Sequence, residues 1–410
     1  MFSAVHSDRS GRIVVAADYA AALSDGQSMR PFGQAIPLPD GAELVALADR
    51  AALGLDRAGR PRPLGGGRWA VGAILPLGHL RTALPAYLDE PRAPALRARG
   101  YAAVGADENG ELVVCGTAFD IQARAADGRG SSDVAARLSA GLRERPSNRL
   151  VRQLVRCARD YRCRAAANAF LGHHDAALPV AAPANEQPPA VLALRDDAEA
   201  SPTEPAAFHP TAEEIADLAA AHLDGGGTLV AFGRACEGEP LLVARVVESA
   251  IAAIRARTHR GTVHLETNGS VPAALRRLRE AGLDSVAFRM ISARAETYEL
   301  LHRPGGYRFT DVRAGLAGAV TLGLAVAVAL LVLPGLTDRP AELDALIALT
   351  ADLPPGSTLI LRDVAADPQR ALALVRSSDA PAGIEPALER LRVEAPHLRL
   401  IAQARPLARV

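Results

Sequence analysis

The sequence predicts an α/β protein in which a smaller β-rich N-terminal domain precedes a partial (β/α)6-type barrel. The main observation is a regular alternation of apolar strands and amphipathic helices through the C-terminal two-thirds of the chain. The N-terminal part instead has short strand patterns and many Gly and Pro breaks. With 410 residues, of which 49% are hydrophobic and 22% charged, the chain is long enough for two or three domains with sizeable cores.

We predict four segments: a β-rich domain over 1–122, a helical linker over 123–147, the barrel over 148–380, and a C-terminal helix and strand over 381–410. In the first segment, strands are expected at 12–19, 68–77 and 101–120, the last as a hairpin that turns at 107–110. Residues 80–88 and 94–104 are expected to be short helical or irregular pieces. Nothing in this segment marks a catalytic site.

Helices are predicted at 131–144 and 147–170, the second capped by Ser147 or Asn148. Its many arginines would suit a nucleic acid, but an apolar stripe at helical spacing favours an amphipathic helix packed beside the barrel. The arginines are Arg149, Arg152, Arg156, Arg159, Arg162 and Arg164, and the stripe is Leu150, Val151, Leu154 and Val155. Lys+Arg and Asp+Glu both number 46, so we expect no nucleic-acid partner.

The barrel is predicted from strands that alternate with helices, as in right-handed βαβ units. A doubly wound sheet is the alternative closure. The predicted strands are 176–181, 228–235, 262–269, 285–292, 325–333 and 358–364. The predicted helices are 211–223, 240–258, 271–283, 298–301, 310–320 and 341–353, and the tail 386–404 adds one more helix and strand.

The apolar run 314–333 has about the length of a membrane span, roughly 20 residues. Gly323 divides it, however, into the end of a helix and a buried parallel strand, so we expect no membrane partner. The first residues lack the pattern of a signal peptide, and four cysteines do not form a disulfide scaffold. We therefore expect a cytoplasmic protein.

Polar residues follow the predicted strands, where a ligand would meet a barrel. Cys236, Glu237, Gly238, Glu239 and Pro240 follow the second strand. A glycine between two carboxylates, before a Pro-started helix, lets backbone approach a small ligand and offers acceptors to an ammonium group. An ordinary Gly-containing turn is the alternative. Further polar residues at this rim are Thr267, Asn268, Gly269, Arg289, Ser292, Arg362 and Asp363.

The segments 230–242, 263–312 and 330–338 together resemble the radical S-adenosylmethionine (SAM) superfamily, over about 148–375. The resemblance implies a radical-SAM-like barrel. It also implies that Glu237, Gly238 and Glu239 match the turn that binds the amino group of SAM, and that 267–269 match the family's "TNG". That family holds a [4Fe–4S] cluster through three cysteines in the loop after the first strand. Here Ala184, Pro188 and Val191 stand at those places.

We therefore expect the [4Fe–4S] cluster to be absent and the protein to be a pseudoenzyme with a binding or scaffolding role. SAM, or a related ligand, is the cofactor that this barrel could still bind. One alternative is an active enzyme with a non-standard cluster on Cys157, Cys163 and Cys236. Another is a cluster-free barrel enzyme that uses His264, Glu266, Arg289 or Asp363 for acid/base chemistry. His264 and Glu266 share one face of a strand, which is either the lumen or the helix side. His173, His174 and Asp175 are either a metal site or a surface group, and the partner is unknown.

Overall fold

The structure, a computed structural model, describes residues 2–25, 28–91, 93, 96, 99–125, 133–161, 163–187, 206–234, 237–364, 368–375 and 379–407. Its contacts divide it into two compact units. The first comprises Met1–Asp127, Leu331–Ala348 and Leu361–Pro396, and the second Gly128–Leu330, Leu349–Ile360 and His397–Val410. The predicted domain boundaries remain a prediction.

Among the described residues, the first unit contains an antiparallel sheet of eleven strands with the central order β10-β5-β2-β1-β7-β11-β12-β4. The hairpin predicted at 101–120 is present, and Asp107 closes its turn by accepting the backbone N–H groups of Asn109 and Glu111 at 2.9 and 2.8 Å. The strands of this unit are β1 (Ser3–Ser7), β2 (Ile13–Ser24), β3 (Met29–Pro31), β4 (Ile36–Pro37), β5 (Glu43–Leu55), β6 (Pro61–Pro63), β7 (Trp69–Ile74), β8 (His79–Arg81), β9 (Leu84–Pro85), β10 (Tyr87–Asp89), β11 (Tyr101–Ala106), β12 (Leu112–Val114) and β13 (Gly116–Ala118).

The expectation of helical or irregular pieces at 80–88 was wrong, because this segment forms parts of β8, β9 and β10. Its alanines and prolines carry no clear period, and pairing with neighbouring strands decides its conformation. The same unit also holds the helices α1 (Ile121–Ala125), α11 (Pro368–Leu374) and α12 (Ile384–Glu394).

The second unit begins with α2 (Val134–Glu144), α3 (Arg149–Asp160) and α4 (Arg164–Leu171). Asn148 caps α3 as predicted, since its side chain accepts the Val151 N–H at 3.1 Å, and the apolar stripe of α3 is buried. The single helix predicted over 147–170 is instead two helices. Cys163 lies at the N-cap of α4, where its N–H returns to the Cys157 carbonyl at 3.1 Å.

In the part of the chain that the structure describes, seven strands then form a parallel sheet in simple sequence order, as the predicted barrel requires. No pairing closes β14 onto β20 within the described residues, so the barrel is partial. The strands are β14 (Asp175–Ala177), β15 (Leu229–Phe232), β16 (Thr262–Thr267), β17 (Ser285–Met290), β18 (Ala325–Val332), β19 (Thr358–Asp363) and β20 (Arg399–Ile401).

Helices separate these strands, as the alternation predicts. They are α5 (Ala212–Asp224), a 3-10 turn (Pro240–Val243), α6 (Ala244–Arg257), α7 (Ala274–Ala281), α8 (Ala295–His302), α9 (Phe309–Thr321) and α10 (Pro340–Thr350). Gly323 has φ +66° and stands between α9 and β18, so the long apolar run is divided as expected. Within the described part of the chain, no helix is both long and apolar enough to cross a bilayer.

Candidate functional site

One face of the parallel sheet carries the small side chains that a barrel interior requires. Ala231, Ala287, Ala327 and Ala329 pack there with Leu229, Ile360 and Ile401 in a cluster without helix residues. His264 pairs with Ala231 across the sheet, and Glu266 pairs with Ala287. Because strand side chains alternate between faces, His264 and Glu266 lie on this inner face. These two side chains therefore face the lumen of the barrel and not its helix side.

The polar groups on the inner face make specific contacts. The Nδ1 atom of His264 lies 2.8 Å from the Ser285 hydroxyl. Arg234 follows β15 and pairs with two carboxylates, with Asp175 and with Glu266, whose Oε1 lies 3.4 Å from the Arg234 Nε. The sequence analysis of the rim does not single out Arg234. The sequence feature that could have identified it is its position directly after Gly233, at the end of the predicted second strand.

Glu239 ties the ends of two neighbouring strands together. Its Oε1 accepts the Thr267 hydroxyl at 2.5 Å and the Leu241 N–H at 2.9 Å, and its Oε2 accepts the Asn268 N–H at 2.7 Å. The side chain is fully buried, and burial raises the pKa of its carboxyl group, against the opposing charge of Arg289. The structure thus brings together the two turns that the motifs single out, through a carboxylate that the chain itself satisfies.

Gly238 is needed because the chain's own backbone approaches it. A Cβ atom at Gly238 would lie 2.0 Å from the Pro183 carbonyl oxygen and 2.6 Å from the Ala184 nitrogen. The Gly238 N–H donates to the Ala182 carbonyl at 3.0 Å, and the Glu239 N–H to the Pro183 carbonyl at 2.8 Å. The close approach predicted for a ligand is therefore made by the loop after β14.

Glu237 is the second carboxylate of this turn. Its Oε2 accepts the backbone N–H groups of Val180 and Ala182 at 2.8 and 3.3 Å. Its Oε1 is buried and has no hydrogen-bond partner among the described residues. Burial raises the pKa of Glu237 to about 7, although the backbone N–H groups of Val180, Ala182 and Ala181 oppose the shift. A carboxyl group whose pKa is near 7 can accept a hydrogen bond from a cationic ligand or exchange a proton at neutral pH.

Glu186, on the loop after β14, forms a buried cluster that the sequence did not predict. Its Oε1 accepts the Arg289 Nη2–H at 2.9 Å, and its Oε2 lies 2.9 Å from the His302 Nδ1 and accepts the Tyr307 hydroxyl at 3.1 Å. Tyr298 stacks on the His302 ring, with ring centroids 4.0 Å apart. Burial opposes ionisation of Glu186, but the bond from His302 and the charge of Arg289 outweigh it and lower the pKa to about 2.

The structure describes some of the remaining predicted site residues, and others lie outside the described residues. Asp363 lies in the first unit, where its carboxylate accepts the Arg81 N–H at 3.3 and 3.2 Å. Burial raises its pKa to about 6. Cys157 and Cys163 are partly exposed, whereas Cys236, Pro188 and Val191 lie outside the described residues. His174 binds the Ala404 carbonyl at 2.9 Å, and the described residues contain no cluster of three metal-ligating side chains.

A cubane iron–sulfur cluster does not fit the loop after β14. Iron in such clusters is held by cysteine thiolates, and the sequence has no cysteine between Cys163 and Cys236. The described part of the loop is bound instead to the turns after β15 and β16 and to Arg289 in β17.

Comparison with known proteins supports the resemblance. Residues 193–347 match the family model of the Radical SAM superfamily, and no curated protein sequence matches the chain. Similar solved structures include the FeFe-hydrogenase maturase HydG from Carboxydothermus hydrogenoformans, with 14% identity, TM-score 0.41, and coverage of 66% of this chain and 71% of that one. A radical SAM methyltransferase from Sphaerobacter thermophilus has 15% identity, TM-score 0.35, and coverage of 47% and 59%.

Coproporphyrinogen III oxidase (HemN) from Escherichia coli has 16% identity, TM-score 0.34, and coverage of 45% of this chain and 44% of that one. This chain thus covers less than two thirds of HemN and of the methyltransferase. The predicted resemblance to the radical SAM superfamily is confirmed for the segment 193–347, which the Radical SAM family model matches.

Proposed function

We propose that this protein is a pseudoenzyme with respect to radical chemistry, a radical-SAM-like barrel that binds a ligand or partner without reducing SAM. The observation that carries the proposal is the donor set of the loop after β14, which offers alanine, proline and valine where the family has thiolates. Without a cluster no electron reaches SAM by the family's route. Its role is then binding or scaffolding, beside a partner protein or a small molecule.

The ligand that the site suits best is SAM, or a related adenosyl or amino-acid compound. Residues 237–240 and 267–269 lie at the carboxyl ends of adjacent parallel strands, where barrels bind ligands. Glu239 is engaged by Thr267 and Asn268, so Glu237 is the carboxylate that remains for an ammonium group. The helical turn that starts at Pro240 lies beside it.

Calorimetric titration with SAM tests the ligand proposal. We expect saturable heat that is lost when Glu237 is replaced by Gln and kept when the exposed Glu296 is replaced by Gln. The absence of heat at millimolar SAM would contradict retained SAM binding, and would leave a scaffolding role with a protein partner. We further propose that the protein acts in the cytoplasm, without a nucleic-acid or membrane partner.

A cluster-free enzyme is the second candidate, because Glu237 has a pKa of about 7, as a general acid or base requires. Arg289, His264 and Glu266 lie on the same inner face of the sheet and would bind or orient a substrate there. An active enzyme with a cluster on Cys157, Cys163 and Cys236 is the third candidate. Anaerobic reconstitution with iron and sulfide separates this last candidate from the others.

A further inference from the structure

The loop of residues 182–187, here called the strap, crosses the carboxyl ends of β15, β16 and β17. Its first residues bind the turn after β15 through the Gly238 and Glu239 N–H groups. Asn185 accepts the side-chain amide of Asn268 at 2.9 Å with its side chain and the Gly305 N–H at 2.7 Å with its carbonyl. The strap therefore lies over the end of the sheet at which a ligand would enter.

Glu186 is the buried residue of the strap. Its side chain is 4% exposed, while Pro183, Ala184 and Gln187 are exposed. The Gln187 N–H donates to the His302 carbonyl at 2.9 Å, directly after the Glu186 carboxylate. The strap is thus fastened at this end by one buried side chain and one backbone bond.

The hydrogen-bond partners of the Glu186 carboxylate come from three separate elements. Arg289 lies at the end of β17, His302 at the end of α8, and Tyr307 in the loop that follows α8. The Ile291 N–H donates to the His302 Nε2 at 3.1 Å, so the ring proton stands on Nδ1 and points at Glu186. Three donors thus converge on one carboxylate. Arg289 also donates to the Gly233 carbonyl at 3.3 Å, which fixes its direction.

The backbone on both sides of this contact has an unusual conformation. Ala181, before the strap, has φ +55°, and Arg303, after His302, has φ +47°. Residues other than glycine adopt such angles at a cost of about 1 to 3 kcal/mol, and only where surrounding contacts enforce them. Two residues that flank this contact therefore adopt a conformation that the local sequence does not favour.

We propose that Arg289, His302 and Tyr307 form a carboxylate-binding cradle, that Glu186 is its built-in ligand, and that a free carboxylate can take the place of Glu186. The Glu186 carboxylate then holds the strap across the carboxyl ends of the strands, where a ligand would enter the barrel. This proposal does not depend on SAM binding, since it concerns contacts within the chain. The cradle has the features of a carboxylate site: a guanidinium, an imidazole and a hydroxyl group that face one carboxylate, and near-complete burial.

The test is chemical rescue of Glu186→Ala by formate, with acetate as the larger probe. We expect the variant to melt about 5 to 10 °C below the parent, because Arg289 loses a buried counter-charge. Formate should raise this Tm in a saturable manner, while chloride at equal ionic strength should not. The parent, whose cradle is filled, and the exposed variant Glu296→Ala should show no saturable response.

Hydrogen exchange gives the second readout. The Gln187 and Gly305 amides should exchange at least about tenfold faster in Glu186→Ala, for a loss of about 1.4 kcal/mol of local protection. Formate restores the melting temperature through the cradle, but it cannot restore the covalent link to the strap, so fast exchange should persist. A folded variant without formate-dependent stabilisation, or with unchanged exchange in the strap, would overturn the proposal.

Should Glu186→Ala fail to fold alone, refolding with and without formate answers the same question. Recovery of folded protein in formate alone supports the cradle. If formate gives no recovery and Glu186→Gln keeps the strap as protected as in the parent, the carboxylate does not hold the strap and the proposal is wrong.

Discussion

Glu239 offers the sharpest test of how the two turns are joined. Replacing it by Ala removes the acceptor of three buried donors, the Thr267 hydroxyl and the Leu241 and Asn268 N–H groups, at 2.5, 2.9 and 2.7 Å. An unsatisfied buried donor costs about 1 to 3 kcal/mol. Removing a carboxylate whose pKa burial has raised returns part of that cost. We expect a net loss of about 3 kcal/mol in the free energy of unfolding.

Urea unfolding followed by circular dichroism measures this loss. The matched control is Glu296→Ala, whose side chain is 88% exposed, so its effect should stay within about 0.5 kcal/mol. Thr267→Val removes one of the three donors and should cost about 1 kcal/mol alone, but less in the Glu239→Ala background, because the shared bond is already lost. A loss below about 1 kcal/mol for Glu239→Ala would refute the assigned contacts.

Three further predictions follow from other buried contacts. Gly238→Ala places a Cβ 2.0 Å from the Pro183 oxygen, so we expect the free energy of unfolding to fall by about 2 kcal/mol and the Glu239 amide to exchange faster. The control is Gly318→Ala, in α9, where a Cβ would meet no atom within 4 Å. This control should leave the free energy of unfolding unchanged or raise it. His222 is buried, and burial lowers its pKa although backbone contacts with Ala169, His174, Asn168 and Leu229 oppose the shift. Stability should therefore fall as pH drops below 6.5, and His222→Leu should weaken that slope in melting curves. Asp363→Asn removes the counter-charge of Arg81, whose side chain is 1% exposed, and should cost about 3 kcal/mol by urea unfolding; an unchanged midpoint would show that the pair does not matter.

The parallel sheet could be predicted because strands with an apolar centre, of which Leu229–Phe232 and Ala325–Val332 are apolar throughout, alternate with helices of clear periodicity. The meeting of Glu239 with Thr267 and Asn268 followed from that topology, since the carboxyl ends of adjacent parallel strands share one edge. The short strands of the first unit could not all be predicted. Segments such as 80–88 are rich in alanine and proline, and their pairing partners lie far away in the chain.

The Glu186 cluster escaped prediction for a different reason. Glu186 is 116 residues from His302 and 121 residues from Tyr307, and no local spacing connects them. The break between α3 and α4 was also hidden, because the arginines and apolar residues continue through it. For Glu186, long-range contacts rather than local propensity determine the structure.

Because the loop after β14 has no cysteine, it should be unable to hold an iron–sulfur cluster. Anaerobic reconstitution with iron and sulfide, followed by gel filtration, measurement of bound iron and a SAM cleavage assay, tests this claim most directly. We predict protein without stoichiometric bound iron and without formation of 5′-deoxyadenosine. A brown protein that retains a cubane cluster and cleaves SAM would contradict the claim, and loss of that cluster in Cys157→Ala, Cys163→Ala or Cys236→Ala would identify the ligands.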